Sequence, residues 1–451
     1  MTQLYAGIGR ELITPTGAGY LAGDVLDTDA EVQRVHQDLY AQSLFLTDRT
    51  SRLVLITVDV CKVSAAMVKA VVTKLGEELD LPGAAIMIAA SHTHSAPHTI
   101  EGDAAPGTFD AGFAEQAVAG MIASAHQAAG KLEPVSLRYE RGHSDLGVNK
   151  RLSTPWGVFM RANPAGDYDP EVGVLIAERA AGEPVAVLCC YASHPIGHLR
   201  SEISSDLTGF LRNELELAFP RSMGFHALGC AGDVSPRMRW QGTDYEIGNP
   251  HTGAGRRLLP EATFKTMMEV AGRELAGKAI ALVKEGREKP FAGPLSAAVA
   301  TVDLALSPPL SLTQVEAAAS LPLNHLHARW AGHTRAKILA GEQFPRSVSY
   351  PMQVWRIADR LCVVALGGEV FASIGLRIRA ALSPLPCLTI GHANEYQGYV
   401  PTGAAILEGG YEAESFYNTM LPAPYATGID DVLVAAAVNL ARGTGNGPNT
   451  A

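Results

Sequence analysis

The sequence predicts an α/β protein built from layered mixed sheets with helices. Two observations lead to this fold class. Short apolar runs alternate along the chain with longer runs whose apolar residues recur at helical spacing. Several of the short runs also end in segments of small residues that carry His, Asp or Glu, and α/β proteins assemble pockets from such strand ends. The 451 residues are 47% hydrophobic and 18% charged, which suits a well-packed core.

The individual elements follow from these patterns. Compact runs rich in Val, Ile and Leu predict strands, and apolar residues at every third or fourth position predict helices. In the first part of the chain, strands are predicted at 52–59, 83–90, 184–191 and 222–229, and helices at 64–79 and 110–132. In the second part, strands are predicted at 295–305, 352–358 and 361–366, and helices at 311–339, interrupted near Pro322, and at 430–442.

One large domain is predicted over residues 1–441, because nothing in the chain repeats. The stretch 289–294 contains Pro and Gly and is the best candidate for an internal boundary, although a loop explains it as well. Residues 442–451 are rich in Gly, Asn and Thr, and this composition predicts a disordered tail.

Composition excludes several classes of partner. The net charge of −10 and the absence of a basic stripe argue against binding to nucleic acid. No apolar run approaches the roughly 18 residues of a membrane span, so we expect no stable membrane insertion. The N-terminus lacks a secretory signal, and the six cysteines show no C-x-x-C spacing, which together indicate a cytoplasmic protein with reduced thiols. A homo-oligomer is compatible with the sequence, which leaves the oligomeric state open.

The tripeptide His92-Thr93-His94 follows the predicted strand 83–90 directly. In an extended segment, residues two apart project to the same side, so the two imidazoles can face one cavity. A polar turn with solvated histidines explains the tripeptide alone equally well. Two other apolar runs end close to His194 and Glu369. Catalytic zinc takes about three ligands from His, Glu or Asp, so these residues have the chemistry of a zinc site.

Several segments resemble motifs of the neutral/alkaline non-lysosomal ceramidases, in the same order. The segment A-S-H-T-H-S-A-P at 90–97 is similar to the family's G-T-H-T-H-S-G-P signature. Further similar segments are I-T-P at 13–15, the strand end at Asp59, A-S-H-P around His194, G-D-V-S-P at 232–236, G-E-V-F around Glu369, N-E-Y-Q-G-Y at 394–399 and Y-E-A at 411–413. Because the matches extend over most of the chain, it is identified as a member of this superfamily.

The resemblance implies a zinc-dependent amidohydrolase that cleaves a C–N amide bond with metal-activated water, in one large catalytic domain. Zn²⁺ is then held by four residues, namely His92, His194, Glu369 and Tyr399. His94 and Tyr411 are expected to hydrogen-bond the scissile carbonyl or the intermediate. The chain ends about 40 residues after Tyr411, so no immunoglobulin-like C-terminal domain is expected.

Departures from the family pattern bear on the substrate. The family's N-R-S element appears as Asn149-Lys150-Arg151, and Arg151 is favoured as the catalytic-site cation for its planar fork, with Lys150 as the alternative. Four residues within or after the motifs are expected to contact substrate: His98, Arg200, Ser235 and Arg237. The arginines, together with His98, predict a small polar or anionic molecule, although surface ion pairs are the commoner role of arginine.

Other functions stay open at this point. They are a true ceramide or N-acyl-lipid amidase, a metal-dependent esterase or lactonase, and a non-catalytic scaffold that binds a metal or ligand. A serine hydrolase with Ser235 as nucleophile is less favoured, because no G-x-S-x-G elbow surrounds that residue. His325 and His327 lie in a predicted helix, where residues two apart point to different sides, so they are not expected to share a metal.

Overall fold

The computed structural model describes residues 2–17, 21–22, 32, 34–101, 109–195, 199, 201–240, 261–319 and 325–444. The predicted class of mixed sheets layered with helices is confirmed. The strands are β1 (Leu4–Leu12), β2 (Arg34–Val35), β3 (Tyr40–Thr47), β4 (Arg52–Val58), β5 (Ile86–Ala90), β6 (Glu133–His143), β7 (Gly147–Thr154), β8 (Gly157–Asn163), β9 (Glu171–Glu178), β10 (Pro184–Tyr191), β11 (Glu202–Ile203), β12 (Met223–Leu228), β13 (Val234–Pro236), β14 (Leu295–Ala305), β15 (Ser347–Ile357), β16 (Leu361–Leu366), β17 (Glu369–Val370), β18 (Cys387–Ile390) and β19 (Tyr399–Val400). The helices are α1 (Ala65–Leu79), α2 (Ala111–Ala129), α3 (Asp206–Ala218), α4 (Glu261–Glu285), α5 (Leu312–Ala319), α6 (His325–Leu339), α7 (Ala372–Leu382), α8 (Gly403–Glu408), α9 (Tyr411–Glu414) and α10 (Ile429–Thr444).

Two mixed sheets carry most of the strands. The larger has eight strands in the order β12-β10-β9-β6-β1-β3-β4-β5, and the second has four in the order β14-β15-β16-β18. The pairs β4–β5, β10–β12 and β16–β18 are parallel, whereas their neighbours are antiparallel. The strands β4, β5, β10 and β16 are almost entirely buried, as expected for apolar runs covered on both faces.

The two sheets share one apolar core. It contains Ile56 and Ile88 of the first sheet together with Trp355 and Val363 of the second. Helix α2 packs across β1 and β3, where a Cβ at Gly7 would overlap a helix carbonyl oxygen. Helices α3 and α4 pack beside β9 and β10, and α7 and α10 cover the second sheet. Among the described residues, no helix combines the length and apolarity that a membrane crossing would need.

Several element ends differ from the sequence predictions for local reasons. Gly83–Ala85 forms a 3₁₀ turn, so the strand predicted from residue 83 begins at Ile86. The stretch 289–294 connects α4 to β14 and bonds to β6 through Phe291, and the apolar core contains residues from both sides of it. The last helix runs through Thr444, three residues into the predicted tail, while residues 445–451 and the break near Pro322 lie outside the described residues.

Backbone hydrogen bonds tie the strand ends to one another. Residues at or just after the ends of β5, β12, β16 and β18 form backbone hydrogen bonds with one another. The bonds run from Ala90 N to His392 O (3.1 Å), from Gly391 N to Leu228 O (2.9 Å), from Gly232 N to Val370 O (2.8 Å) and from His392 N to Gly368 O (3.0 Å). Polar residues that are far apart in sequence therefore enter one small region.

A buried ion pair stabilises the end of β4. Asp59 lies 2.7 Å from the Arg212 guanidinium of α3, and both side chains are almost fully buried. Asp59 also accepts a hydrogen bond from the Tyr40 backbone at 2.9 Å. Asp59 thus has a structural role in this fold.

We expect Arg212→Met to lower the free energy of unfolding by about 3–5 kcal/mol, because it leaves the Asp59 carboxylate buried without its cation. Denaturant titration followed by circular dichroism measures the change. Arg335→Met is the matched control: it removes an exposed pair with Glu316 and should cost less than about 1 kcal/mol. Equal losses in the two variants would contradict this role.

Candidate metal centre

His92, His194 and Glu369 meet in the interior of the protein. Their exposed fractions are 2%, 3% and 4%. The Nε2 atom of His194 lies 3.0 Å from Glu369 Oε2, and the Nε2 atom of His92 lies 3.9 Å from the same oxygen. The two imidazole rings are 5.0 Å apart between centroids. The structure therefore brings together three residues that the sequence places after different strands.

Backbone carbonyls determine which nitrogen of each imidazole carries the proton. Nδ1 of His92 lies 2.8 Å from the Cys61 carbonyl oxygen, and Nδ1 of His194 lies 2.6 Å from that of Ala231. A carbonyl oxygen only accepts, so each Nδ1 is the donor. In the neutral ring, Nε2 then presents a lone pair. Both lone pairs lie on the side of Glu369.

The ionisation states make this cluster a good fit for a cation. Burial lowers the pKa of His92 to about 3, and it also lowers the pKa of His194. Burial alone would raise the pKa of Glu369, but its contacts with the two imidazoles hold that pKa well below the ordinary value. An ionised carboxylate beside two buried imidazoles is stable when a positive charge lies among them, which a proton or a metal ion can supply. Imidazole nitrogen and carboxylate oxygen are the donors that zinc takes in catalytic sites, so these residues fit zinc.

Two tyrosines adjoin the Glu369 carboxylate. The Tyr396 hydroxyl donates a hydrogen bond to Glu369 Oε1 at 2.9 Å, which orients the carboxylate. Tyr399 pairs with Glu369 across β17 and β19, so the expected fourth ligand lies beside the third. Burial raises the pKa of Tyr399 well above its ordinary value. The Tyr399 phenol is therefore neutral when no metal is bound.

His94 and Tyr411 lie next to this cluster. Nε2 of His94 is 3.2 Å from Nε2 of His92, and its ring centroid is 6.3 Å from that of His194. Tyr411 begins α9, and its ring lies 5.7 Å from the ring of Tyr399. Both side chains are half-buried, whereas the three residues of the cluster are enclosed.

Arg151, the favoured catalytic-site cation, forms an ion pair with Glu412. Its Nη1 lies 2.6 Å from Glu412 Oε2, and its Nη2 donates to the Gly409 carbonyl at 2.8 Å. The planar guanidinium group, which was the reason for favouring Arg151, thus binds a carboxylate of the protein itself. Lys150 donates instead to the Tyr399 hydroxyl at 3.3 Å, and burial lowers the pKa of Lys150. Lys150, and not Arg151, is the cation beside Tyr399.

The four expected substrate contacts have different surroundings. Ser235 lies in β13, and its buried Oγ has no hydrogen-bond partner in the described part of the chain. His98 is buried, at 6% exposure. Arg237 is half-buried, and its positive charge lies near enough to the Asp145 carboxylate to interact with it. Arg200 lies outside the described residues, so its position stays a prediction.

His392 lies at the same centre, although the sequence patterns did not point to it. Its ring centroid is 3.9 Å from that of His92. One nitrogen of each imidazole and one Glu369 carboxylate oxygen all lie within 4.8 Å of one another. His392 follows β18 just as His92 follows β5, so the same strand-end argument would have found it. The run Cys387–Ile390 is too short to stand out as a strand.

Fold and site together define a layered α/β protein with a buried centre of imidazoles and a carboxylate. Residues 6–303 match the family described as neutral/alkaline non-lysosomal ceramidase, N-terminal. This match covers well over half of the 451 residues, so the chain belongs to that family of amide-bond hydrolases.

Solved structures share the fold. A neutral ceramidase from Pseudomonas aeruginosa is similar with a TM-score of 0.72 and 19% sequence identity, over 98% of this chain and 74% of that chain. A ceramidase complexed with C2 is similar with a TM-score of 0.71 and 18% identity, over 98% of this chain and 75% of that chain. No curated protein shows significant sequence similarity to this chain.

We expect added zinc to stabilise protein that has been treated with a chelator. A ligand that binds only the folded state at 100 times its Kd raises the free energy of unfolding by about 2.7 kcal/mol. Unfolding with and without zinc measures this shift. Glu369→Gln should lose most of it, whereas the exposed control Glu316→Gln should keep it. An equal shift in both variants would contradict a metal centre at Glu369.

Proposed function

We propose that the protein is a zinc-dependent amidohydrolase. The observation that supports it best is that the Nε2 atoms of His92 and His194 lie 3.9 Å and 3.0 Å from one buried Glu369 carboxylate oxygen. His92, His194, Glu369 and Tyr399 would hold the metal, as the family resemblance implies. When bound, zinc lowers the pKa of a bound water to about 7 and polarises a carbonyl oxygen.

His94 and Tyr411 act on the scissile amide in this proposal. They donate hydrogen bonds to the carbonyl oxygen as negative charge develops on it. Their half-buried positions beside the enclosed cluster support this role. The ion pair between Arg151 and Glu412 fixes the segment that begins at Tyr411. Arg151 is therefore proposed as a positioning residue.

The geometry gives less support to a serine nucleophile. A catalytic serine needs a base within hydrogen-bond reach of its hydroxyl. The Ser235 Oγ has no such partner in the described ranges. Ser235 is therefore proposed to contact substrate as a hydroxyl donor.

We propose a small polar or anionic substrate. Two cations lie buried close to the centre: Lys150 is 3% exposed and Arg239 is 7% exposed. The charge of Arg239 contributes to lowering the pKa of Lys150, so the two cations are near neighbours. Lys150 also lies 3.8 Å from Glu412, and a carboxylate on the substrate would gain charge-assisted hydrogen bonds from such cations.

Ceramide or another N-acyl lipid is the second candidate substrate. The two structural relatives are ceramidases. In addition, Trp156 in the turn between β7 and β8 is 85% exposed, Phe159 in β8 is 44% exposed, and Leu407 is 80% exposed. Strand β7 also carries Lys150. Exposed apolar side chains of this size are typical of surfaces that bind apolar molecules.

We also propose a cytoplasmic location. All six cysteines are buried free thiols. Reduced thiols are typical of cytoplasmic proteins, whereas proteins of oxidising compartments commonly form disulfides. Fractionation of the source cells would test this location.

Metal analysis and substrate panels test the proposed function. The purified protein should contain about one zinc per chain, and a chelator should abolish hydrolysis. The panel should contain N-acyl compounds with a carboxylate, with neutral polar groups or with long alkyl chains, and the matching esters. We expect the carboxylate amides to be cleaved fastest. Activity that is indifferent to chelation would contradict the metal mechanism.

The other outcomes of the same panel separate the alternatives. Faster cleavage of long-chain amides would favour an N-acyl-lipid amidase over an enzyme for anionic substrates. Cleavage of esters alone would indicate an esterase or lactonase. Zinc binding without any hydrolysis would indicate a scaffold that binds metal.

Two substitutions separate metal binding from catalysis. Glu369→Ala should lose both zinc and activity, because it removes the carboxylate of the donor set. Tyr411→Phe should keep zinc and lower kcat by about 10²- to 10³-fold, the usual loss for one donor to a developing oxyanion. If Tyr411→Phe lost zinc while Tyr399→Phe kept it, the roles of the two tyrosines would be reversed.

A further inference from the structure

The side chain of His392 is buried without a hydrogen-bond partner. It is 3% exposed, and neither Nδ1 nor Nε2 has a partner within the ranges that the structure describes. A buried polar group left unpaired costs about 1–3 kcal/mol, so native proteins satisfy nearly all of them. An imidazole with two such nitrogens therefore indicates a bound group at this position.

The position of His392 suits a metal ion. Its ligand nitrogen lies within 4.8 Å of a His92 nitrogen and of a Glu369 oxygen. Zinc lies about 2 Å from each of its donors, so adjustments of less than about 1 Å per donor bring these three atoms to one ion. The ring is also 6.2 Å from the ring of His194. His392 thus adjoins all three residues of the cluster.

The backbone of His392 is held by the segments that carry the other donors. Its N–H donates to the Gly368 carbonyl, one residue before Glu369, and its carbonyl accepts from Ala90, two residues before His92. The residue has a φ of +49°, a left-handed conformation that is uncommon outside glycine. Non-glycine residues keep such a conformation where the surroundings impose it, commonly at functional sites.

A buried histidine elsewhere in the protein provides a contrast. His226 of β12 is also 3% exposed, but its Nδ1 lies 2.9 Å from the Thr208 hydroxyl, so that of its two nitrogens only Nε2 lacks a partner among the described residues. That contact is the ordinary way in which a core histidine is accommodated. His392 has no equivalent contact in the described part of the chain.

We propose that His392 is an additional metal ligand, so that three imidazoles hold the ion together with Glu369 and Tyr399. This inference rests on the proposed metal centre and extends the donor set beyond the residues that the family resemblance implies. A third imidazole adds a donor without adding charge. Nitrogen-rich sets of this kind suit Zn²⁺ and also Cu²⁺, Ni²⁺ and Fe²⁺.

X-ray absorption of the zinc-loaded wild-type protein tests the proposal directly, because multiple scattering counts the imidazoles on the metal. We expect three in the wild-type protein. Two imidazoles would overturn the assignment of His392 and leave the proposed function intact. A wild-type protein that binds no zinc would overturn the metal centre itself, and this inference with it.

Metal affinity provides the second arm. Competition with a chromophoric chelator should show that His392→Leu and His392→Gln bind zinc at least about tenfold more weakly than the wild-type protein. The zinc-loaded variants should show two imidazoles. His226→Leu is the matched control for loss of a buried histidine. It should keep the wild-type zinc affinity and the wild-type number of imidazoles on the metal. Wild-type affinity in a folded His392 variant would contradict the proposal.

Discussion

The contact between His194 Nε2 and Glu369 Oε2, 3.0 Å apart, is the interaction on which the account of the site depends. Carbonyl oxygens fix the proton of each imidazole on Nδ1, and burial keeps the rings neutral. A lone pair therefore faces a carboxylate away from water, where electrostatic interactions are strong. A positive charge, from a proton or a metal ion, makes this arrangement favourable. The donor types, their closeness and their burial therefore fit a metal ion.

The fold supplies this arrangement through its strand ends. Strands β5, β10, β16 and β18 belong to two packed sheets, and the segments that follow them are tied by backbone hydrogen bonds. The donors are consequently placed by the rigid part of the protein, and adjoining polar residues orient them. Tyr396 holds one Glu369 oxygen, Lys150 contacts Tyr399, and the Arg151–Glu412 pair anchors the segment with Tyr411. Rigid support of this kind is what a site for metal-assisted chemistry requires.

Much of this organisation could be predicted from the sequence, because apolar runs and the polar residues after them are local patterns. These patterns predicted the strands at 184–191 and 295–305, which the structure contains, and they indicated His92, His194 and Glu369 as site residues. The choice between Lys150 and Arg151 could not be made, because it depends on Glu412, a residue more than 250 positions away. His392 was missed since β18 has only four residues and is recognised by its pairing with β16.

The central claim is that a metal ion binds between the His92, His194 and Glu369 side chains. Crystals of the purified protein, measured on both sides of the zinc absorption edge, test it most directly. We expect one anomalous peak within about 2 Å of the two Nε2 atoms and a Glu369 oxygen. A zinc-supplemented crystal without a peak there, or with zinc only at the protein surface, would contradict it.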